Sequence, residues 1–109
     1  MLHPCDLSDL NFKNELDALY PIGDNQTTIE AARGKPNEQY IRAAVPPADP
    51  WLRDSLTFGA AKHGAKGASV ATYMVLTSTG GIASGGVYKD VLVFDAAGKL
   101  EWAYRFKVD

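Results

Sequence analysis

The chain has 109 residues, enough to bury one hydrophobic core and too few for two, so we expect a single domain spanning residues 1–109. Its 46% hydrophobic and 22% charged residues are typical of globular proteins and argue against a disordered, collagen-like or coiled-coil chain. The formal net charge of -2 lacks the basic excess that binds a phosphate backbone, so we expect no nucleic-acid partner.

Residue types that carry chemistry are few and scattered. Cys5 is the one cysteine, which excludes an internal disulfide and a cysteine-cluster zinc site, and His3 and His63 lie far apart. Segment 59–66 is similar to a phosphate-binding loop, but no serine or threonine follows its lysines to hold magnesium. Ser69 lacks the second glycine of a nucleophile elbow. We therefore predict no catalytic residue, no metal site and no cofactor.

The first residues give an expectation about location. The start at Met1–Asp6 turns polar without the apolar segment of a secretory signal, which predicts a cytoplasmic protein. The alternative is that Cys5 is the lipid-bearing first residue of a mature lipoprotein anchored in the cell envelope. No stretch approaches the roughly 20 apolar residues that span a bilayer, so we expect no membrane span.

Two helices are predicted near the N-terminus. The first runs from Ser8, or from Asp9 if that residue is the cap, to Tyr20 before Pro21. Its apolar positions recur at the spacing of one helical face and are Phe12, Leu16, Leu19 and Tyr20. The second begins with a capping box between Thr27 and Glu30, runs through Ala32 and ends at Gly34, ahead of Pro36.

The middle of the chain is harder to assign. Residues 40–45 predict a strand with Ile41, Ala43 and Val45 on one side, closed by two prolines. From Asp49-Pro50 onward the spacing of Leu52 and Leu56 favours a short helix, although alternation over 52–58 also fits a strand. Residues 59–67 are small, basic and glycine-rich, which predicts a loop in which His63 is a solvated side chain.

The C-terminal part predicts an antiparallel meander. Strands are expected over 70–77 and 87–94, joined by a glycine-rich loop over 80–86, and a turn over 95–98 precedes a last strand. In that strand one set of side chains is expected to be buried, namely Leu100, Trp102, Tyr104, Phe106 and Val108. The other set is expected to face water, namely Lys99, Glu101, Arg105 and Lys107.

These elements together predict an α+β domain. Two or three N-terminal helices are expected to pack on one face of an antiparallel sheet of three or four strands. The sequence offers one candidate surface for a partner, in the proline-rich middle segment, where charged residues flank a tryptophan. Its residues are Asp49, Trp51, Arg53 and Asp54. Tryptophan is enriched at the energetic centre of interfaces, although Trp51 also fits the edge of the core.

Residues of the helices and of the last hairpin form one pattern, namely Gly23, Ile29, Gly34-Lys35-Pro36, and Tyr88 through Leu100 with Phe94-Asp95 and Gly98. This pattern resembles the small BamE (SmpA/OmlA) lipoproteins and the related β-lactamase-inhibitor-like repeats. Members of these families are non-catalytic and bind other proteins, so the resemblance implies a protein-binding role. The run 88–95 with 98–100 is also similar to the last hairpin of ketosteroid-isomerase-like domains, which implies a pocket enzyme or small-ligand binder.

The hypothesis that these observations favour is a non-enzymatic protein-binding module. An immunity or inhibitor protein that neutralises a partner, such as a toxin, by stoichiometric binding fits a cytoplasmic chain best. An acidic surface would then steer a basic partner. The alternatives are a BamE-like envelope lipoprotein in an assembly complex and a pocket protein of the ketosteroid-isomerase kind. The sequence leaves the identity of the partner and the oligomeric state open.

Overall fold

The computed structural model describes residues 4–45, 50–77 and 86–108. These ranges hold four helices, a 3-10 turn and one antiparallel sheet of four strands in the order β1-β2-β3-β4. The helices are α1 (Pro4–Asn11), α2 (Lys13–Leu19), α3 (Gln26–Arg33) and α4 (Pro50–His63), and the 3-10 turn is Arg42–Ala44. The strands are β1 (Glu38–Ile41), β2 (Ser69–Thr77), β3 (Gly86–Phe94) and β4 (Leu100–Lys107). The predicted α+β class and antiparallel meander are confirmed.

The sheet carries a hydrophobic cluster on each face, because neighbouring side chains of a strand point to opposite sides. Val93 belongs to one cluster and Phe94 to the other. One face is covered by α2 and α3, and its buried residues are Leu16, Tyr20, Ile29, Ala71, Tyr73, Leu92, Phe94 and Leu100. The other is covered by α4, and its buried residues are Val45, Leu52, Leu56, Val70, Val91, Val93, Trp102 and Tyr104. The N-terminal helices pack as predicted, and α4 adds a second layer.

The first predicted helix is broken in two. The break lies at Phe12, whose φ of -128° and ψ of 4° are not helical, although its backbone keeps hydrogen bonds to Ser8 at 2.8 Å and Leu16 at 2.9 Å. Ser8 is not a cap, since it lies within α1 and its Oγ accepts a 2.8 Å hydrogen bond from the backbone N–H of Arg105. Arg105 lies on the edge strand β4, so α1 covers a backbone group that a sheet edge would otherwise expose.

The start of α3 also differs from the sequence prediction. Asn25 is the N-cap, with no side-chain hydrogen bond to the helix, and Thr27 lies inside α3. The capping box between Thr27 and Glu30 was therefore wrong. Backbone pairing takes its place, because Gln26 donates to the carbonyl of Gly98 at 2.9 Å. The end of the helix is as predicted, at Gly34, whose φ of 83° favours glycine.

The middle segment is a helix rather than a strand. Residues Leu52 and Leu56 are buried on α4, at the helical spacing that the sequence favoured. The helix continues to His63, so the loop predicted over 59–67 begins only after that residue. The strand predicted over 40–45 ends at Ile41, and Arg42–Ala44 forms the 3-10 turn. The predicted loop over 80–86 lies outside the described residues except for Gly86, which begins β3.

The strict alternation predicted for β4 is wrong at its first residue, and the exposure predicted for Arg105 is wrong as well. The register shifts where Val93 pairs with Trp102 but Phe94 pairs with Leu100, so Glu101 has no partner in the ladder. The shift turns Leu100 to the α2 face. Arg105, predicted to face water, is 1% exposed because Asp90 faces it across the strand pair and Glu15 approaches from α2.

Candidate functional site

The structure describes the predicted partner-binding residues unevenly. Asp49 lies outside the described residues. Trp51 and Asp54 lie on α4, but their side chains are also outside the description. Arg53 is exposed on α4, as a binding residue must be.

Arg53 lines a groove of about 470 Å³ between α4 and the 3-10 turn, which we call the α4 groove. Its described lining residues are Arg42, Val45, Arg53, Leu56 and Thr57. The three α4 residues stand at i, i+3 and i+4, the spacing that places side chains on one helical face. The groove therefore results from one face of α4 meeting the turn that follows β1.

The α4 groove combines an apolar floor with a polar rim. Val45 and Leu56 are each 4% exposed and belong to the core cluster beneath α4. Arg42, Arg53 and Thr57 are exposed at the rim. The Thr57 hydroxyl donates to the backbone carbonyl of Arg53 at 3.1 Å, so it is engaged within the helix. The charged chemistry of the described rim thus comes from two guanidinium groups.

The loop after α4 holds Arg42 in place. Arg42 Nη1 donates to the carbonyl oxygen of Lys66 at 2.8 Å. That loop is in turn fixed by Glu101, whose carboxylate accepts from the backbone N–H groups of Lys66 at 3.0 Å and Gly67 at 2.9 Å. A chain of contacts thus runs from β4 through the loop to one side of the groove.

Sequence reasoning missed Arg42. The residue falls within the predicted strand 40–45 and belongs to no motif. Its place depends on a contact with Lys66, 24 positions later in the chain. A local sequence pattern cannot predict so distant a hydrogen bond. The position of Arg53, two residues after Trp51, is visible in the sequence.

A buried polar cluster lies on the opposite face of the sheet. Arg105 donates from Nε to Asp90 Oδ1 at 2.6 Å and from Nη2 to Oδ2 at 3.0 Å. Tyr20 donates to Asp90 Oδ2 at 2.7 Å, and Arg105 Nη1 donates to Glu15 at 2.9 Å. Asp90, Arg105 and Tyr20 are almost completely buried. The cluster ties α2 to β3 and β4.

The surroundings of Tyr20 and Arg105 keep the phenol proton of the one and the charge of the other at neutral pH. Burial, with the Asp90 carboxylate and its hydrogen bond, raises the pKa of Tyr20 well above its ordinary value. Burial alone lowers the pKa of Arg105, but the hydrogen bonds and charges of Asp90 and Glu15 outweigh it and raise that pKa. Both carboxylate oxygens of Asp90 thus accept hydrogen bonds from within the cluster.

A smaller cavity of about 140 Å³ lies between α1, α2, the end of α4 and the start of β4. His63 stacks on Trp102 there, with ring centroids 4.6 Å apart, and its Nε2 lies 3.5 Å from Asp9 Oδ2. His63 is exposed overall, as predicted, although it ends α4 rather than lying in a loop and one face of its ring packs on Trp102. Burial lowers the pKa of His63, although Asp9 acts in the opposite direction. The pair joins the end of α4 to α1.

Comparison of the chain with family models, with curated proteins and with solved structures found no match. No helix in the described ranges combines the length and the apolar character needed to cross a membrane.

Proposed function

We propose that the protein is a non-enzymatic protein-binding module that captures a partner protein stoichiometrically through the α4 groove. The observation that carries the proposal is the composition of the groove, in which two arginines border a floor made by Val45 and Leu56. It lies on the segment where the sequence predicts a partner-binding surface.

Such a composition suits a protein interface. Interfaces combine an apolar centre, from which water is excluded, with a polar rim, and arginine and tryptophan dominate their binding energy. Arg53 supplies one such residue at the groove. A volume of about 470 Å³ admits one or two anchoring side chains of a partner.

A rigid base supports the same proposal. Leu52 and Leu56 fix α4 in the core, and the Arg42 side of the groove is held by the contact with Lys66. A preformed surface loses little conformational entropy on binding. Within the class of binding modules, we propose an immunity or inhibitor protein that neutralises its partner by occupying it.

The pocket-enzyme alternative receives less support. It calls for an acidic residue held in an apolar cavity, ready to exchange a proton. Asp90 is the carboxylate buried in the described sheet, and Arg105 and Tyr20 occupy both of its oxygens. Asp90 lines neither the α4 groove nor the smaller cavity beside His63.

The test is capture of the partner from the source cell with a tagged full-length chain. We expect one protein in stoichiometric amount, captured less by Arg53→Ala and equally well by Lys35→Ala. Lys35 is a suitable control because it is exposed and follows α3, which packs on the other face of the sheet. Equal capture by both variants, or no stoichiometric partner, would contradict the proposal. Envelope assembly proteins together with a lipid on Cys5 would establish the lipoprotein alternative.

A further inference from the structure

We infer that the α4 groove takes an acidic segment of the partner, with a carboxylate side chain placed between Arg42 and Arg53. This inference rests on the proposed function and specifies the chemistry of the partner. Both arginines line the same groove, one from the 3-10 turn and one from α4. Arginine presents a planar array of donors that matches the two oxygens of a carboxylate.

The hydrogen bond of Arg42 fixes where its guanidinium lies. Arginine has five N–H donors, and the contact from Nη1 to the Lys66 carbonyl at 2.8 Å uses one of them. The approach of Gly67 confines the same group, since a Cβ on that glycine would lie 3.1 Å from Nη1. A guanidinium held in this way loses less freedom on binding a carboxylate than a free surface lysine does.

The floor of the groove strengthens the attraction. Val45 and Leu56 are buried apolar side chains, and a partner segment seated above them excludes water from the charged contact. The attraction between opposite charges increases as the effective dielectric constant falls. An acidic segment that also carries an apolar residue therefore fits the groove better than a purely charged one.

This inference differs from the expectation drawn from net charge. The formal charge of -2 suggests a basic partner steered by an acidic surface. Among its described lining residues the groove instead has two arginines and no acidic residue. The charge at the contact decides which segment is accepted, while the net charge acts mainly on the encounter rate. A partner with an acidic binding segment follows from the local arrangement.

The experiment uses fluorescein-labelled octaglutamate as the probe for the full-length protein, with anisotropy at pH 7 and low salt as the readout. We expect binding that weakens as salt rises. Arg42→Gln and Arg53→Gln should each weaken it at least tenfold, and Lys35→Gln should leave it unchanged. Octaglutamine and octalysine serve as peptide controls, and amide chemical shifts should move most at Val45, Leu56 and Thr57. Circular dichroism of each variant confirms its fold.

Three results would overturn the inference. One is no binding of octaglutamate, and another is binding that both arginine variants retain. The third is displacement of the peptide by inorganic phosphate that supplies the same concentration of negative charge. That result would mean that the groove binds small free anions rather than an acidic peptide segment. The inference alone fails if octaglutamate does not bind while a partner is captured through Arg53. The proposed function fails if octaglutamate binds in the groove and no protein partner is captured.

Discussion

Asp90 and Arg105 face each other across β3 and β4, joined by two hydrogen bonds of 2.6 and 3.0 Å, and each is at most 1% exposed. The pair couples the sheet to α2, because Glu15 and Tyr20 complete its hydrogen bonds. Removing one partner of such a pair leaves an uncompensated charge in the core, which is costly even where the intact pair adds little net stability.

Arg105→Met should therefore lower the free energy of unfolding by about 3–5 kcal/mol. Urea denaturation measures the change. Lys13→Met is the matched control, since Lys13 forms an exposed pair with Asp17 at 3.2 Å and should cost less than about 0.5 kcal/mol. Similar small losses in both variants would contradict the structural role assigned to Arg105.

The loop after α4 gives a second prediction. Gly67 has a φ of 65°, and a Cβ there would lie 3.1 Å from Arg42 Nη1 and 3.5 Å from Val93. Gly67→Ala should lose about 1–2 kcal/mol from backbone strain and a further amount from the displaced side chains. Gly64→Ala is the control, because Gly64 has a φ of 68° in the same loop and nothing within 4 Å of the added Cβ. If both variants lose the same stability in thermal or urea unfolding, the Arg42 side chain moves away from the added Cβ without a measurable cost.

His63 gives a prediction for pH. Burial lowers the pKa of His63 from its ordinary value of 6.5, so the folded state disfavours the proton relative to the unfolded state. The free energy of unfolding is therefore undiminished above the pKa that His63 has in the unfolded state. It falls as the pH drops below that value, until the pKa of His63 in the folded state is reached. Urea unfolding between about pH 7.5 and 5.5 should show this loss, and His63→Gln should remove that part of it. A gain of stability on acidification would show instead that the Asp9 contact dominates.

Trp51, on α4 two residues before Arg53, gives a prediction for partner binding. If Trp51 anchors the partner, Trp51→Ala should weaken binding by about 2 kcal/mol or more. Isothermal titration with the captured partner measures the change, and the circular dichroism spectrum verifies that the variant is folded. Unchanged affinity in a folded variant would assign Trp51 to the edge of the core.

The sequence predicted elements where one local signal dominates. Gly34 ends α3 because only a glycine-like conformation fits there, and Leu52 and Leu56 placed α4 through their spacing. The class of the fold followed from helices in the first half and alternating apolar residues in the last strands. These signals are local, so a single sequence carries them.

The predictions that failed depend on contacts between distant parts of the chain. Arg105 alternates with apolar residues and was expected to face water, but Asp90 and Glu15 supply partners that no spacing reveals. The position of Arg42 at the groove depends on its hydrogen bond to Lys66. Thr27 is not a cap because residues 25 and 26, at the start of α3, pair with the turn before β4. The sequence around Arg53 was enough to predict it as a partner-binding residue. The groove that it lines could not be predicted, because the other side of the groove comes from a different part of the chain.

The most direct test of protein binding at the α4 groove is site-specific photocrosslinking in the source cell. A photoreactive phenylalanine analogue at Thr57, an exposed rim residue, reports what contacts the groove. The same analogue at Lys35 samples an exposed position beyond α3. The account predicts one dominant crosslinked protein from position 57 that position 35 does not yield. No crosslinked protein at position 57, or the same pattern from both positions, would contradict it.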